Sequence, residues 1–390
     1  MFHSLTQLME LDYDTKQERG LLHTPVEIAR QPRVWLETKN MMKKHVGQIE
    51  KLISGDETII LTGAGSSYYA SQCVEAALAA RHKGMVKSIS STEIVMNPEN
   101  TLPRTPFILV SFARSGNSPE GNAAFELAEA LRPGLVTHVV FTCSNEGELA
   151  RLARESHATG LLCVLPPDTN DAGLAMTSSF TSMVVAGFSL AYGGDFAQYE
   201  ATVENLAKAA EELLTVHGER LKEIAAMSFD RIFFIGAHPF YGAALESHLK
   251  VQEMTDGQVI GKAEDTLGLR HGPMAAVDDK TLVVLFTSLD GYRRKYESDL
   301  IKELSAKELG CHRLAVSPRP EAGWANLFHS VLGFGADLDS DDAILSPVLV
   351  IPAQVLGLFK SIELGLMPDT PSRKRVITRV VEGVTIYPYK

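Results

Sequence analysis

Short apolar runs, each continuous rather than alternating, recur along this chain with helical segments between them. The first half carries "ETIILTG", "FILVSFA", "THVVFTC" and "GLLCVLP"; the second carries "DRIFFIGA", "TLVVLFTS", "HRLAVSP" and "VLGFGAD". A strand without a polar face must be covered on both sides, which parallel sheets flanked by helices achieve. The pattern predicts an α/β fold of parallel strands with helices on both faces. At 390 residues the chain exceeds what one core ordinarily serves, so two domains are expected.

The halves resemble each other. Ile59–Ala70 aligns with Phe233–Ala243, matching Gly63 with Gly236, Ala64 with Ala237, Tyr68 with Tyr241 and Ala70 with Ala243. His138 precedes "VVFTC" as His312 precedes "RLAVS", at nearly the same offset. A duplication accounts for both. In the second half His238, Pro239 and Phe240 replace Gly65, Ser66 and Ser67, so its hydroxyl-bearing turns are read as lost. Binding and chemistry are then expected to be divided between the halves. Residues 1–47 read as a helical arm, with Thr24 as a cap and Pro25 at the first helical position. The expected domains are 48–200 and 201–370, bridged by "ATVENLAKAAEELLTVHGERLKEIAAM" and followed by a tail, 371–390.

Composition narrows the function. A net charge of -11 argues against wrapping nucleic acid or lying on an anionic membrane, while leaving room for a small anion met by local donors. No apolar run is long enough to span a bilayer. The first residues lack a basic-then-apolar leader pattern, so the mature chain is expected to start at Met1. Cys73, Cys143, Cys163 and Cys311 have neither metal nor redox spacing, which predicts reduced thiols and a cytoplasmic protein. The histidines show no zinc-ligand spacing and no nucleophile elbow appears, so neither a metal nor covalent catalysis is expected.

Ligands of open parallel sheets gather beyond the carboxyl ends of the strands. "TGAGSSYYA" is such an end: Gly63 and Gly65 allow a tight turn, and Ser66 and Ser67 open the next helix. Helix-start amides with hydroxyls make an anion site, although a serine there can equally be a plain cap. "FARSGNSPEG" repeats the device. Ser118 before Pro119 and Glu120 fits an N-cap; Arg114 and Ser115 suit a phosphate, though an arginine can also pair with a surface carboxylate.

In the second half, Glu246, Lys250 and Glu253 share one face of a helix by their spacing. A solvated salt-bridge face explains that pattern, and so does a carboxylate general base held beside a lysine. His271, in a turn made by Gly272 and Pro273, is either structural or a presented proton carrier.

Taken in order, "GAGSSYYA", "ARSGNSPE", "ALESHLKVQEM" and "LRHGPMAAV" resemble the sugar isomerase (SIS) family over about residues 48–370. The AgaS group, known as tagatose-6-phosphate isomerases or galactosamine-6-phosphate deaminases, is the closer likeness through "AMTSSFTSM", "HGPMAAVDDKTLVVL" and "PDTPSRKRVITRVVEGVTIYP". The resemblance implies two tandem SIS domains, each a three-layer αβα sandwich with a parallel flavodoxin-like sheet. It implies a sugar 6-phosphate held by Ser66, Ser67, Arg114, Ser115, Ser118 and Thr177, and no cofactor. Glu253 would be the base moving a proton between C2 and C1, with Lys250 stabilising charge or orienting Glu253. His271 would open the sugar ring and be shared across the subunits of a homodimer. Three positions depart from the amidotransferase members: Ala113 and Met176 replace polar residues, and Glu382 stands where those members carry a substrate-reaching lysine.

With a hydroxyl at C2, such a proton shift isomerises an aldose to a ketose. With an amine there, it yields a ketimine from which water releases ammonia. The AgaS likeness favours the second, galactosamine 6-phosphate to tagatose 6-phosphate, over a plain isomerase. Glutamine-dependent synthesis is not expected, since the arm is too short for a glutaminase. A sugar-phosphate sensor would have no use for an acid–base pair.

Overall fold

In a computed structural model of the chain, residues 3–193, 195–335, 341–381 and 383–389 are described. Glu382, one of the three departures, lies outside them. The chain forms two compact units. Residues 33–171, residues 178–203 and the segment from Ile377 make up the first. The residues up to Pro32, residues 172–177 and residues 204–376 make up the second. The change of unit falls inside a single helix, Phe196–Ala225.

The first unit is built on five parallel strands: β1 (Thr58–Thr62), β2 (Val86–Ser88), β3 (Phe107–Ala113), β4 (Val136–Thr142) and β5 (Thr159–Val164), ordered β2-β1-β3-β4-β5. Leu61 pairs with Val110, and Val110 with Val139. Burial is nearly unbroken along β1, β3 and β4, as two-sided coverage requires. The helix Ser178–Tyr192, buried along its whole length, packs on the helix Ser66–Ala79.

The second unit repeats the plan with β6 (Arg231–Ile235), β7 (Ile260–Glu264), β8 (Thr281–Phe286), β9 (His312–Ser317) and β10 (Ser330–Gly333), ordered β10-β9-β8-β6-β7. Its core gathers Phe233, Ile235, Val283, Leu285, Leu300 and Trp324. Numbered within its own half, each sheet runs 2-1-3-4-5, the flavodoxin-like order. Strand order therefore reverses twice in the molecule, between β1 and β3 and between β6 and β8.

All eight apolar runs lie on strands. The two strands without a counterpart in the sequence reading, β2 and β7, are edge strands with exposed and half-buried positions. They need no continuous apolar run because one side of each faces no strand. Thr24 is a second departure. The helix Thr24–Ala29 has Pro25 at its start, but Thr24 does not cap it with its own side chain. Asp369 does so from far along the chain, accepting the His23 and Thr24 amides at 3.1 and 2.8 Å and the Thr24 hydroxyl at 2.7 Å.

Candidate active site

The reversal point between β1 and β3 carries two adjacent turns. After β1, the chain doubles back so tightly that the Ser67 amide donates to the Ala64 carbonyl at 3.1 Å. A side chain on Gly63 would lie 2.6 Å from the Ser67 backbone, and Gly65 takes φ 56°, so glycine is required at both places. Gly65 is the N-cap, which puts Ser66 and Ser67 in the first helical turn rather than at the cap. Both are buried.

The neighbouring turn follows β3. Ala113 ends the strand and Arg114 comes next, only 7% exposed. Its Nη2 donates to the main-chain carbonyl of Arg379. The Ser115 hydroxyl accepts the Asn117 amide at 3.2 Å, and Asn117 Oδ1 in turn accepts the Glu148 amide at 2.9 Å. Ser118 stands at the N-cap of the helix Pro119–Leu131, but its hydroxyl donates to Glu120 Oε2 at 2.8 Å instead of accepting a helix amide. Within one unit, adjoining strand ends thus bring together Ser66, Ser67, Arg114, Ser115 and Ser118. Thr177 is buried just before the helix Ser178–Tyr192 and belongs with residues 172–177 to the second unit. Beside these turns, burial pushes the Cys143 thiol up to about 12 and the Cys163 thiol likewise. Neither sulfur is a ready nucleophile.

In the second unit the helix Tyr241–Met254 follows β6, with its charges turned inward. Glu246 and Lys250 are 0% exposed, while Leu245 and Leu249 are only half-buried. Lys250 Nζ lies 3.3 Å from Glu246 Oε1 and 2.6 Å from Glu253 Oε2. The solvated-face reading of this spacing is thereby overturned. The helix Ile351–Glu363, buried over most of its length, packs against this one. The close approach needs Gly357, where a side chain would meet Met254 Sδ at 2.8 Å. Burying ions costs several kcal/mol each, roughly, and an apolar trio of similar volume is often no less stable. Such a cluster is poorly explained by stability. A carboxylate held by a lysine, with its other side partly open, is suited to taking and returning a proton.

His271 follows β7. Its amide donates to the Gly268 carbonyl at 2.8 Å, Gly272 takes φ 123°, and the residue is exposed. No hydrogen bond ties its ring to another group among the described residues.

The reading of lost hydroxyls in the second half holds after β6 and fails after β8. Thr287 and Ser288 follow β8 and are fully buried. Ser288 donates its hydroxyl to Asp342 and its amide to Glu297 Oε2 at 3.0 Å. The sequence reading also missed Arg379, Asn170 and Asp171, which meet beside Arg114; an arginine in a polar, basic stretch carries no signal of its partners.

The SIS domain family matches residues 52–192 and 228–332. The chain is 35% identical to the D-galactosamine-6-phosphate deaminase AgaS of a Shewanella species, over 95% of this chain and 93% of that protein. To the Escherichia coli protein of that name it is 34% identical, covering 94% and 96%. The crystal structure of tagatose-6-phosphate ketose/aldose isomerase from Escherichia coli superposes with a TM-score of 0.84 at 31% identity, covering 94% of this chain and 96% of that one. Two parallel sheets of one strand order, each within a matched segment, and likeness over nearly the whole length lead to one conclusion: the chain belongs to the SIS domain family and carries two SIS domains.

Proposed function

We propose that this protein is a sugar-phosphate isomerase/deaminase, converting galactosamine 6-phosphate to tagatose 6-phosphate and ammonia. The observation that carries the reading is Lys250, buried between Glu246 and Glu253 on one helix. The AgaS relatives, named for this deamination, supply the substrate.

The first unit's turns receive the phosphate: Ser66, Ser67, Ser115 and Ser118 offer hydroxyls and Arg114 a charge-assisted donor. Thr177 joins this set. His271 opens the ring by moving a proton between the ring oxygen and the anomeric hydroxyl. Glu253 removes the C2 proton and returns it at C1, with Lys250 steadying the carboxylate. The C2 imine so formed adds water and loses ammonia. The same proton shift on a 2-hydroxy sugar is a plain isomerisation, the reading that likeness to the Escherichia coli tagatose-6-phosphate ketose/aldose isomerase favours.

Glu253→Gln is expected to lower kcat by about 10²–10⁴-fold while the protein still binds galactosamine 6-phosphate in calorimetry. Unchanged turnover would remove Glu253 from the mechanism. Ammonia and sugar products measured together decide the outcome: ammonia released with ketose from galactosamine 6-phosphate supports the deaminase, whereas no ammonia from galactosamine or glucosamine 6-phosphate, with tagatose 6-phosphate converted to an aldose, favours the plain isomerase. The exposure of His271 supports its serving a neighbouring subunit in a homodimer. Mixing inactive Glu253→Gln and His271→Ala chains should then restore about a quarter of wild-type activity, because half the dimers carry one intact site. No recovery on mixing would place His271 in its own chain's site.

A further inference from the structure

Arg114 is nearly buried although it lies in a turn. The group that holds it comes from the segment starting at Ile377, which packs within the first unit. Arg379 is engaged at both its backbone and its side chain. Its carbonyl accepts Arg114 Nη2. Its own guanidinium donates from Nε to the Asp171 carbonyl at 2.8 Å and from Nη2 to Asn170 Oδ1 at 2.6 Å. Asp171 is itself fixed, because its carboxylate accepts the amide and hydroxyl of Ser179 at 2.8 and 2.6 Å. The chain of contacts thus runs from the start of the helix Ser178–Tyr192, through Asp171 and Arg379, to the turn after β3.

A guanidinium is a rigid planar fork, so fixing one nitrogen sets the direction of the others. A carbonyl oxygen is an acceptor and cannot bind the oxygens of a phosphate. We infer that Arg379 is a positioning residue for phosphate binding: anchored on Asn170 and Asp171, it aims the Arg114 fork at the turns after β1 and β3. This rests on the proposal that those turns take the substrate's phosphate.

Arg379→Ala keeps the carbonyl and removes its anchor. Arg379→Ala, Arg379→Lys and Ser115→Ala would be assayed with galactosamine 6-phosphate, with inorganic phosphate as competitive inhibitor and thermal midpoints to report folding. Arg379→Ala is expected to raise KM and the phosphate inhibition constant about tenfold, with kcat within about twofold, since uniform binding is lost rather than chemistry. Arg379→Lys should fall between, because an ammonium cannot fork across two acceptors. If Arg379→Ala and Arg379→Lys leave both constants unchanged while Ser115→Ala raises them, the positioning role is wrong and the phosphate site stands. If Ser115→Ala also changes neither, the phosphate reading fails and the inference falls with it. A loss confined to kcat would overturn the inference as well.

Discussion

The two reversal points of this molecule have the same strand order and opposite contents. Between β1 and β3, Glu120 accepts the Ser118 hydroxyl, but no carboxylate of the chain bonds Ser67 or Ser115 among the described residues. Between β6 and β8, the chain supplies its own anions. Asp342 accepts the Leu289 amide at 2.6 Å, the Ser288 hydroxyl, and Arg293 Nη2 at 2.7 Å. Glu297 takes the Ser288 amide. Both acids are nearly fully buried. Parallel strands ending in a turn leave amides that need an acceptor. One copy has been closed with carboxylates, which suits the other copy's being kept for an anion from solution.

That contrast can be broken from either side. The largest effect is expected from Ser115→Asp, which copies the second unit's arrangement into the first. A carboxylate at the proposed phosphate position should lower kcat/KM by at least about 10³-fold through like-charge repulsion, with the thermal midpoint little changed. Full activity on galactosamine 6-phosphate would show that the turn after β3 does not hold phosphate. The reverse experiment is Asp342→Ala. It leaves the buried Leu289 amide without its acceptor and Arg293, already more than a third exposed, turned to water, at a cost of about 3 kcal/mol in denaturant unfolding. Added sulfate should recover part of the loss only if the vacated turn accepts an anion.

A smaller, pH-dependent effect belongs to Glu297. Burial, with the nearby Asp342 charge adding to it, raises its carboxyl to about 7 from an ordinary 4.5. Well below the ordinary value both folded and unfolded states are neutral there, and the group costs nothing. Above the raised value both are ionised, and the folded state carries the penalty. Stability should therefore fall between about pH 4.5 and 7 by on the order of 3 kcal/mol. Glu297→Gln should flatten that fall. An identical pH profile for the variant would mean that Glu297 ionises as freely folded as unfolded.

Much of the fold is legible in the chain because continuous apolar runs and repeated glycine turns are local signals. The alternation of parallel strands and helices in each half follows from them, and so does the cluster of hydroxyls after β1 and β3; the flavodoxin-like strand order is implied only by the family resemblance. The spacing of Glu246, Lys250 and Glu253 is local too, but their burial is not. The same spacing suits water or a core, and the decision is made by the helix Ile351–Glu363, about a hundred residues further on. Thr24 misleads for the same reason: a threonine before proline looks like a cap until Asp369 arrives. The sequence reading expects the two halves to differ but places the difference in lost hydroxyls, whereas Thr287 and Ser288 are present after β8. Only the partners of Ser288, which are Glu297 and Asp342, show that its amide and hydroxyl are taken.

The Arg114 contact also has a consequence in time. Its partner Arg379 is 265 residues further along, and the acid that caps the helix at Thr24 is 345 residues beyond it. At roughly 5–20 residues per second, a ribosome needs tens of seconds to cover such distances. β1 to β5 can pair on the emerging chain, yet the turn after β3 must wait for Arg379. A message broken between the codons for Gly333 and Arg379 would still encode all ten strands and leave Arg114 without its acceptor.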